Sequence, residues 1–365
     1  MKSICVLDEK NSGTALPALA RKLLAALGSR VVLMTDEAPQ TLPFAAQLQN
    51  GFLQGGGTVL CLKSGFESRV VSAARQFAAD GAVYLYYDSA CRMSVYGAGG
   101  RRLTEEEERQ IARAVPAPAA QTGVAAELKQ NDAYTALAYE LGGSLENVAA
   151  SFASPNGSLL RFVKQTALTL GAVERKLPEF YLSRSGLTAA AQDELGRVYP
   201  HEMLLNLCCS CELSGKKTLE VPFASAFALA QTARSSGAGL RCSFDGGSEP
   251  WQTDGVLLVF RLLHHMSQSG LSLSSLFGSR TFPAQRRTIL AFSGSLDRLA
   301  DRIPCDEAIA QGDGLLFLRR KTAGAVLTRR KDGKRCCVEV QACDAETAQA
   351  VCDELEQAVL TYSNI

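Results

Sequence analysis

Apolar residues recur at helical spacing in three stretches of the first part of the chain, and short β-branched or aromatic runs separate these stretches. The helical pattern covers residues 15–27, 42–56 and 69–80. The runs SRVVLM, TVLCL and VYLYY have the composition of strands. Because strand and helix alternate, the pattern predicts a layered and mainly parallel α/β domain that ends near Pro118.

Further strand and helix patterns follow a Pro/Ala linker at residues 115–123. They predict, in order, a helix at 132–143, a strand at 147–153, helices at 159–171 and 200–213, a strand at 216–223, helices at 225–237 and 254–270, a hairpin at 324–342 and a terminal helix at 344–362. The sequence therefore predicts four domains: α/β domains at 1–118, 124–186 and 187–303, and a small C-terminal α+β domain at 304–365.

The stretch DGAVYLYYDSACRMSVYGAGGRRLTEEEE, residues 80–108, contains the first candidate for chemistry. Its strand is expected to end in a short polar loop, Asp88-Ser89-Ala90-Cys91, before a Gly-rich hairpin and a helix start at Thr104. Loops at strand ends are where α/β proteins usually place reactive groups. The question is whether this loop is reactive.

Composition and charge narrow the classes of function. The chain has 365 residues, of which 47% are hydrophobic, and its 38 Lys and Arg balance 37 Asp and Glu. A balanced surface argues against a general binder of nucleic acid or of membrane surfaces, so an anionic ligand would have to be held locally. No apolar run is long enough for a signal peptide or a membrane span, and we expect a cytoplasmic protein.

The 12 cysteines are best interpreted as reduced thiols, many of them in the core. Cys208, Cys209 and Cys211 form a CCSC cluster that could be half of a metal site. The cluster lies in an apolar helical run without a well-spaced second pair, so core packing is the favoured interpretation.

Taken together, four segments in order resemble the α-D-phosphohexomutase family, the phosphoglucomutases and phosphomannomutases, over nearly the whole chain. The similar segments are VVLMTDEAPQTLPFAAQLQNGFLQGGGTVLCL, AADGAVYLYY with SVYGAGGRRLTEEEERQI, TDGVLLVFRLLHHMSQSGLSLSSLF, and AVLTRRKDGKRCCVEVQACDAETAQAVCDEL. The resemblance implies three α/β domains, the second of them reduced, and a small C-terminal α+β domain. It also implies phosphoryl transfer on a hexose phosphate through a phosphoserine, with Mg²⁺ bound by three aspartates of a DGDxDR loop.

At the phosphoserine position the resemblance places Asp88, followed by Ser89, Ala90 and Cys91 in place of His-Asn-Pro. The family's phosphoryl acceptor is therefore absent. Ser89 acting one residue out of register is one interpretation, and Asp88 as a permanent negative charge is another. A surface loop without a role is favoured over both, because displaced nucleophiles rarely keep their geometry.

The metal loop of the family corresponds to SRSGLT, residues 183–188. Ser183, Ser185 and Leu187 replace the three expected aspartates, and Arg184 places a cation between the two hydroxyls. Mg²⁺ prefers carboxylate and other hard oxygen ligands, so the sequence predicts neither a Mg²⁺ site nor another cofactor.

Two further loops match the family weakly. Glu249 retains the glutamate of the sugar-reading loop, whose Ser-Gly-His is replaced. The phosphate loop corresponds to RRKDGKR, in which Arg329, Arg330, Lys331, Lys334 and Arg335 surround Gly333 and form a candidate phosphate cradle. A hairpin turn with solvated basic flanks is the favoured alternative.

These observations predict a degenerate phosphohexomutase without mutase activity that serves as a binding or regulatory protein, with a phosphorylated sugar or phosphate as its ligand. The alternative is an active mutase, an intramolecular phosphotransferase, that uses Ser89. If the register is right, Asp88, Arg184, Glu249 and Arg329 approach one cleft. No protein partner is indicated.

Overall fold

The computed structural model describes residues 3–7, 12–103, 105–119, 122–128, 131–243, 247–280, 282–311, 314–330 and 334–362. The strands are β1 Ser3–Leu7, β2 Arg30–Thr35, β3 Thr58–Cys61, β4 Gly81–Asp88, β5 Ala90–Tyr96, β6 Val124–Glu127, β7 Ala149–Ala153, β8 Val173–Leu182, β9 Ala189–Gln192, β10 Val198–Tyr199, β11 Thr218–Pro222, β12 Gly239–Ser243, β13 Ala284–Ala291, β14 Glu307–Gln311, β15 Leu315–Arg319, β16 Ala323–Arg329 and β17 Arg335–Ala342. The α-helices are α1 Ser12–Leu27, α2 Leu42–Gln54, α3 Glu67–Gln76, α4 Glu105–Arg113, α5 Asn131–Gly142, α6 Gly157–Thr169, α7 His201–Leu213, α8 Phe223–Ser236, α9 Gly255–Ser269, α10 Leu273–Gly278, α11 Leu296–Ala300 and α12 Ala345–Tyr362.

The chain divides into two compact units. The first unit comprises Met1–His201 and Thr253–Leu271, and the second comprises Glu202–Gln252 and Ser272–Ile365. Helix α9 therefore belongs to the first unit although it follows part of the second along the chain. The boundaries proposed from the sequence at 118, 186 and 303 stay a prediction.

A six-stranded sheet in the order β1-β5-β4-β2-β3-β6 forms the centre of the first unit. Strands β2, β3, β4 and β6 are parallel, whereas β5 is antiparallel to both β4 and β1. Because β6 pairs with β3, this sheet includes residues that follow the predicted Pro/Ala linker. Three of the five strand pairings in this sheet are parallel, so the sheet is mainly parallel as predicted, with β5 running antiparallel to its two neighbours.

Two apolar layers cover this sheet because successive side chains of a strand point to opposite faces. Val31 and Leu33 of β2 pack with α1 and α2, while Val32 and Met34 pack with α3. All four side chains are buried. This explains the continuous apolar run from Val31 to Met34 in β2, because a strand covered on both faces needs apolar residues on each of them.

A second sheet of the first unit has the order β10-β9-β8-β7. Strands β7 and β8 are parallel and connected by α6, and β8 turns back into β9 through residues 183–188. The side chain of Asn156 caps α6 by accepting a hydrogen bond from the Leu159 N–H. The sheet thus places the start of α6 and the loop 183–188 after neighbouring parallel strands.

The second unit contains a parallel pair, β11 and β12, and an antiparallel sheet in the order β13-β17-β16-β15-β14. Helices α11 and α12 cover one face of the five-stranded sheet, where Leu296, Leu355 and Val359 pack on Leu316 and Val338. The hairpin of β16 and β17 confirms the hairpin predicted from residues 324–342. Its central residues 331–333 lie outside the described residues.

One expectation about the stretch 80–108 is wrong. The loop expected at residues 88–91 consists of Ser89 alone, since Asp88 ends β4 and Ala90 begins β5. Ser89 has a φ of +57°, a left-handed conformation that reverses the direction of the chain within a single residue. Cys91 is buried in the core instead of lying in a loop. Thr104, the predicted start of α4, lies outside the described residues.

Within the described part of the chain, no helix is both long enough and apolar enough to cross a membrane.

Candidate functional site

The strand ends of the six-stranded sheet carry a group of acidic residues. Asp36 and Glu37 follow β2, and Asp88 ends β4, which is hydrogen-bonded to β2. Parallel neighbouring strands end at the same edge of a sheet, so these carboxylates come together there. The carboxylate of Asp36 stabilises the backbone around it. One oxygen accepts a hydrogen bond from the Tyr87 N–H at 2.8 Å, and the other accepts one from the Ala38 N–H at 3.1 Å.

Ser89 occupies the tip of the β4–β5 hairpin. Its hydroxyl donates to the carbonyl oxygen of Asp88, the residue before it. A serine nucleophile requires a base that accepts its proton, whereas this proton is directed to a backbone carbonyl. The geometry at Ser89 is that of a tight turn.

The loop 183–188 uses its hydroxyls internally. The Oγ atoms of Ser183 and Ser185 lie 3.0 Å apart. Ser183 Oγ also accepts the Thr188 N–H at 3.2 Å, and Ser185 Oγ accepts the Leu187 N–H at 3.3 Å. Both serines therefore shape the loop as local hydrogen-bond acceptors.

Two neighbouring helices hold this loop in place. The Ser68 N–H at the start of α3 donates to the Ser185 carbonyl at 3.0 Å, and the Val256 N–H at the start of α9 donates to the Gly186 carbonyl at 3.1 Å. Gly186 has φ of +77°, and a Cβ atom there would lie 2.8 Å from Ser68 Oγ. Only glycine fits this position without strain, so the loop is closely packed on α3.

A buried polar network lies beneath the loop. Asp254 caps α9 by accepting the Val256 N–H at 2.9 Å and the Leu257 N–H at 3.2 Å. Its second oxygen accepts the Tyr134 hydroxyl at 2.8 Å, and that hydroxyl lies 3.2 Å from Ser68 Oγ. Burial raises the pKa of Asp254 to about 6, although these hydrogen bonds oppose the shift. The network joins α3, α5 and α9.

Two ion pairs connect the edge of the six-stranded sheet to the second sheet and its helix. Arg184 of the loop contacts Asp88 at 3.1 Å and donates to the Tyr87 carbonyl at 2.8 Å. Arg161 of α6 contacts Glu37 at 2.7 Å. Hydrogen bonding with Ser158 and Arg161, together with the charge of Arg161, lowers the pKa of Glu37 against the effect of burial.

These residues surround an open cleft of about 390 Å³ in the first unit. Its walls carry carboxylates, two guanidinium groups, tyrosine rings and the first turn of α6. The residues that line the cleft include Glu37, Tyr86, Asp88, Ser158, Arg161 and Arg184. The guanidinium carbon of Arg184 lies 5.6 Å from the centre of the Tyr86 ring. The cleft is therefore polar and aromatic, as sites for hydroxyl-rich ligands often are.

The loop does not fit a magnesium ion. Ser183 and Ser185 offer neutral hydroxyls that already accept backbone N–H groups, and Arg184 brings a positive charge to the same loop. Mg²⁺ prefers carboxylate ligands in octahedral geometry. Among the residues that the structure describes, no three or more His, Cys, Asp or Glu side chains are grouped to hold a metal ion.

The other site residues proposed from the sequence lie in the second unit. Glu249 contacts Lys216 Nζ at 2.6 Å, and Lys216 also lies 3.6 Å from Glu212. Burial lowers the pKa of Lys216, but the hydrogen bond and charge of Glu249, with those of Glu212, outweigh it and raise the pKa overall. Glu249 thus has a structural partner, and its sugar-reading role stays a prediction.

Arg329 at the end of β16 donates to the carbonyl oxygens of Ser293 and Gly294. The Arg330 N–H donates to the Arg335 carbonyl at 2.8 Å and closes the hairpin. Lys331 and Gly333 of the predicted phosphate cradle lie outside the described residues, as does Asp332, so the cradle stays a prediction. Lys334 uses its carbonyl to accept the Phe292 N–H at 2.8 Å.

The CCSC cluster lies in α7. Cys208 and Cys209 are fully buried, and burial raises the pKa of the Cys209 thiol to about 12. Such thiols are unreactive core groups.

The comparisons with known proteins identify the fold. No family model and no curated protein matches the sequence. The structure is similar to a phosphoglucomutase/phosphomannomutase family protein from Burkholderia thailandensis, with a TM-score of 0.73 and 11% identity over 99% of this chain and 96% of the other. It is also similar to a protein of Thermus thermophilus assigned as a phosphomannomutase, with a TM-score of 0.62 and 17% identity over 100% and 97% of the two chains.

A third similar structure is that of parafusin, a phosphoglucomutase of Paramecium, in its open form. The TM-score is 0.61, with 8% identity over 100% of this chain and 98% of the other. The chain therefore has the multi-domain α/β fold of the phosphohexomutases over its full length, and the resemblance seen in the sequence is confirmed at the level of fold.

Sequence reasoning missed Glu37, Arg161 and Tyr86 as cleft residues. A signal existed for Glu37, since it lies with Asp36 directly after a buried strand of the same sheet as Asp88. No local pattern marks Arg161, which lies in an ordinary amphipathic helix.

Proposed function

We propose that this protein is a phosphohexomutase-fold binding protein that does not transfer phosphoryl groups and that its cleft binds a phosphorylated sugar. The observation that carries the proposal is the ion pair of Asp88 and Arg184, 3.1 Å apart. The resemblance places Asp88 at the phosphoserine position and Arg184 in the metal loop. In the family, the phosphoserine supplies a negative charge and the metal ion supplies a positive one. Here Asp88 would supply the negative charge and Arg184 the positive charge at the corresponding positions.

Catalysis by the family's reaction would need a nucleophile and a divalent cation. Asp88 lacks the serine hydroxyl that the family phosphorylates and its carboxylate is paired with Arg184, and the Ser89 proton is directed to a backbone carbonyl. The hydroxyls of Ser183 and Ser185 accept N–H groups of their own loop. Each group that could replace part of the reaction is already used for structure, which supports binding without turnover.

The cleft has complementary groups for a sugar phosphate. Glu37 and Asp88 are acceptors for sugar hydroxyls, and the Tyr86 ring offers an apolar face to a pyranose. Arg161 and Arg184 can hold a phosphate, since guanidinium groups bind phosphate oxygens in pairs. Both ion pairs are largely exposed: the side chains of Arg161 and its partner Glu37 are 69% and 51% exposed, and those of Arg184 and its partner Asp88 are 44% and 50% exposed.

Exposed ion pairs contribute about 0–1 kcal/mol, so a phosphate can take over either guanidinium at small cost. The ligand's phosphate then replaces a carboxylate as the partner of an arginine. This exchange also predicts that binding weakens as salt screens the interaction.

The test is the thermal stability of the full chain with glucose 6-phosphate, with glucose and with inorganic phosphate, at low ionic strength. Glucose 6-phosphate is expected to raise the melting temperature most, with or without Mg²⁺. Arg161→Ala and Arg184→Ala should each reduce the effect, whereas Ser89→Ala should leave it unchanged. Absence of any stabilisation by glucose 6-phosphate would overturn the proposal.

Mutase assays on glucose 1-phosphate and mannose 1-phosphate distinguish this proposal from the alternative, an active mutase that uses Ser89. We expect background rates with Mg²⁺ present. Turnover that is abolished by Ser89→Ala would instead establish an active mutase with a displaced serine.

A further inference from the structure

The second unit contains a large cavity that the proposed function does not use. Its volume is about 1110 Å³, and it lies between α8 with β12 and one face of the five-stranded sheet. Gly324, Val326, Glu339 and Gln341 line it from the sheet. They alternate along β16 and β17 with residues that pack under α11 and α12, so the cavity lies on the sheet face opposite these helices.

Helix α8 touches the sheet at one place and leaves space beside it. A Cβ atom at Gly324 would lie 3.0 Å from the Cβ atom of Phe227, so this glycine permits the close approach. Ala226, Ala230 and Ala233 line the cavity from the same helix. Small side chains on α8 therefore keep the cavity open where larger ones would fill it.

The remaining wall is apolar but incompletely buried. Phe227, Leu240, Phe282, Ile309 and Val326 all line the cavity, and all are only half-buried. Apolar surface left in contact with water favours a ligand that covers it. Ligand sites of small molecules have volumes of about 300–1,000 Å³, so the cavity is large enough for one.

The charged residues of the cavity leave a small excess of positive charge. Arg319 contacts Glu307 at 2.8 Å, Glu339 contacts Arg287 at 3.0 Å, and Arg320 contacts Glu354 at 2.6 Å. Within the described part of the chain, the exposed cations Arg234 and Lys321 and the exposed acid Asp306 have no ion-pair partner. The unpaired lining groups thus comprise two cations and one anion.

We propose that this cavity binds an amphipathic organic anion of the long-chain carboxylate class. The alkyl chain of the ligand covers the apolar wall around Phe227, and its carboxylate lies toward Arg234 or Lys321. A sugar or a nucleotide is a poor alternative here, because alanine and phenylalanine side chains would leave its polar groups without hydrogen-bond partners. The site lies in the second unit and does not depend on the proposed function of the cleft.

Titration calorimetry of the full chain with decanoate tests the proposal, with 1-decanol as the neutral ligand of equal chain length. We expect one decanoate site and about tenfold weaker binding of 1-decanol, the ratio typical of a lost charge-assisted hydrogen bond. The double variant Arg234→Glu, Lys321→Glu should weaken decanoate binding to a similar extent. Arg298→Glu, a charge reversal at an exposed position of α11 outside the cavity, should leave it unchanged.

A second variant, Ala230→Phe, places a ring into the cavity and should abolish decanoate binding while circular dichroism shows a folded chain. If that variant does not fold, the comparison of the double variant Arg234→Glu, Lys321→Glu with the control Arg298→Glu decides whether decanoate binds in the cavity. No decanoate binding, many weak sites, or equal affinity of the wild type and the double variant would each overturn the proposal. Glucose 6-phosphate should not compete with decanoate, so this result is independent of the cleft.

Discussion

The loop 183–188 has two contrasting surroundings. Beneath it, Asp254, Tyr134 and Ser68 form a network of buried groups with every principal bond between 2.8 and 3.2 Å. Above it, Arg184 meets Asp88 in a pair whose side chains are 44% and 50% exposed. The buried network joins the starts of α3 and α9, whose N–H groups bond the loop, whereas the exposed pair determines the charge that a ligand meets.

This difference explains how residues of the cleft can change while the fold around them stays the same. A buried polar group without its partner costs about 1–3 kcal/mol, so changes in the network disturb folding. An exposed pair contributes about 0–1 kcal/mol, so residues in the cleft can change while the loop keeps its position. Variants of the buried network and of the exposed pair test this contrast.

The largest effect is expected from Asp254→Ala. The variant removes the cap of α9 and leaves the buried Tyr134 hydroxyl without its acceptor, so the free energy of unfolding should fall by about 3 kcal/mol. Urea unfolding followed by circular dichroism measures this. Asp254→Asn keeps one oxygen to cap α9, and its amide NH2 group can donate to the Tyr134 hydroxyl, which can then donate to Ser68 Oγ, so this variant should lose less. A loss below about 0.5 kcal/mol in the alanine variant would show that the network does not hold the loop.

The pH dependence of stability is the next largest effect. The pKa of Asp254 is raised from 3.8 to about 6 in the folded state, so its folded form binds a proton more readily than the unfolded chain. Its contribution to stability is therefore fully present below pH 3.8 and is lost as the pH rises through 6.

The free energy of unfolding of the wild type, compared with that of Asp254→Asn, should fall by about 2–3 kcal/mol across this window. Urea unfolding at a series of pH values measures the difference. Parallel curves for the two proteins would contradict the assigned pKa.

A smaller loss is expected from Tyr134→Phe, which removes one donor from the carboxylate of Asp254. The free energy of unfolding should fall by about 1–2 kcal/mol. Tyr139→Phe is the matched control, because Tyr139 lies on the same helix and is exposed. Equal effects of the two variants in urea unfolding would show that the Tyr134 hydroxyl adds nothing.

The smallest effect is expected for the exposed pair. A double-mutant cycle with Asp88→Ala and Arg184→Ala should give a coupling energy of about 0.5 kcal/mol that decreases with added salt. The pair of Arg161 and Glu37, with similar exposure, provides a second cycle of the same size. A coupling energy above about 2 kcal/mol would mean that the cleft is held closed by charge and is not open to exchange with a phosphate.

Much of the fold could be predicted from the sequence. The errors lie in strands whose residues are largely exposed and therefore lack the apolar pattern of a buried strand. Helices α2, α6 and α12 have clear helical spacing and occur where it indicated. Strand β8 was missed, since Val173, Glu174, Arg175 and Lys176 at its start are exposed and mostly charged. Strand β13 was missed for a similar reason, because exposed residues occupy most of it.

The candidate site could be predicted only in part. The assignment of Asp88, Ser183, Ser185 and Leu187 to the family's phosphoserine and metal loops follows from the register of the resemblance alone, and it stays a prediction. The short hairpin at Ser89 could not be foreseen, because it depends on the pairing of Asp88 with Ala90. The role of Asp254 was also missed, although Asp before the first turn of a helix is a common cap.

By itself, the sequence determined the alternation of strands and helices, the balanced charge and the chemical character of each loop, since these depend on residue type and local spacing. Only the tertiary structure brought Asp88 to Arg184, Glu37 to Arg161 and Tyr134 to Asp254. The two members of each pair lie in distant parts of the chain, and nothing local relates them. Such contacts depend on which helices pack together and where strands end, and both are consequences of burying the apolar faces of the whole unit.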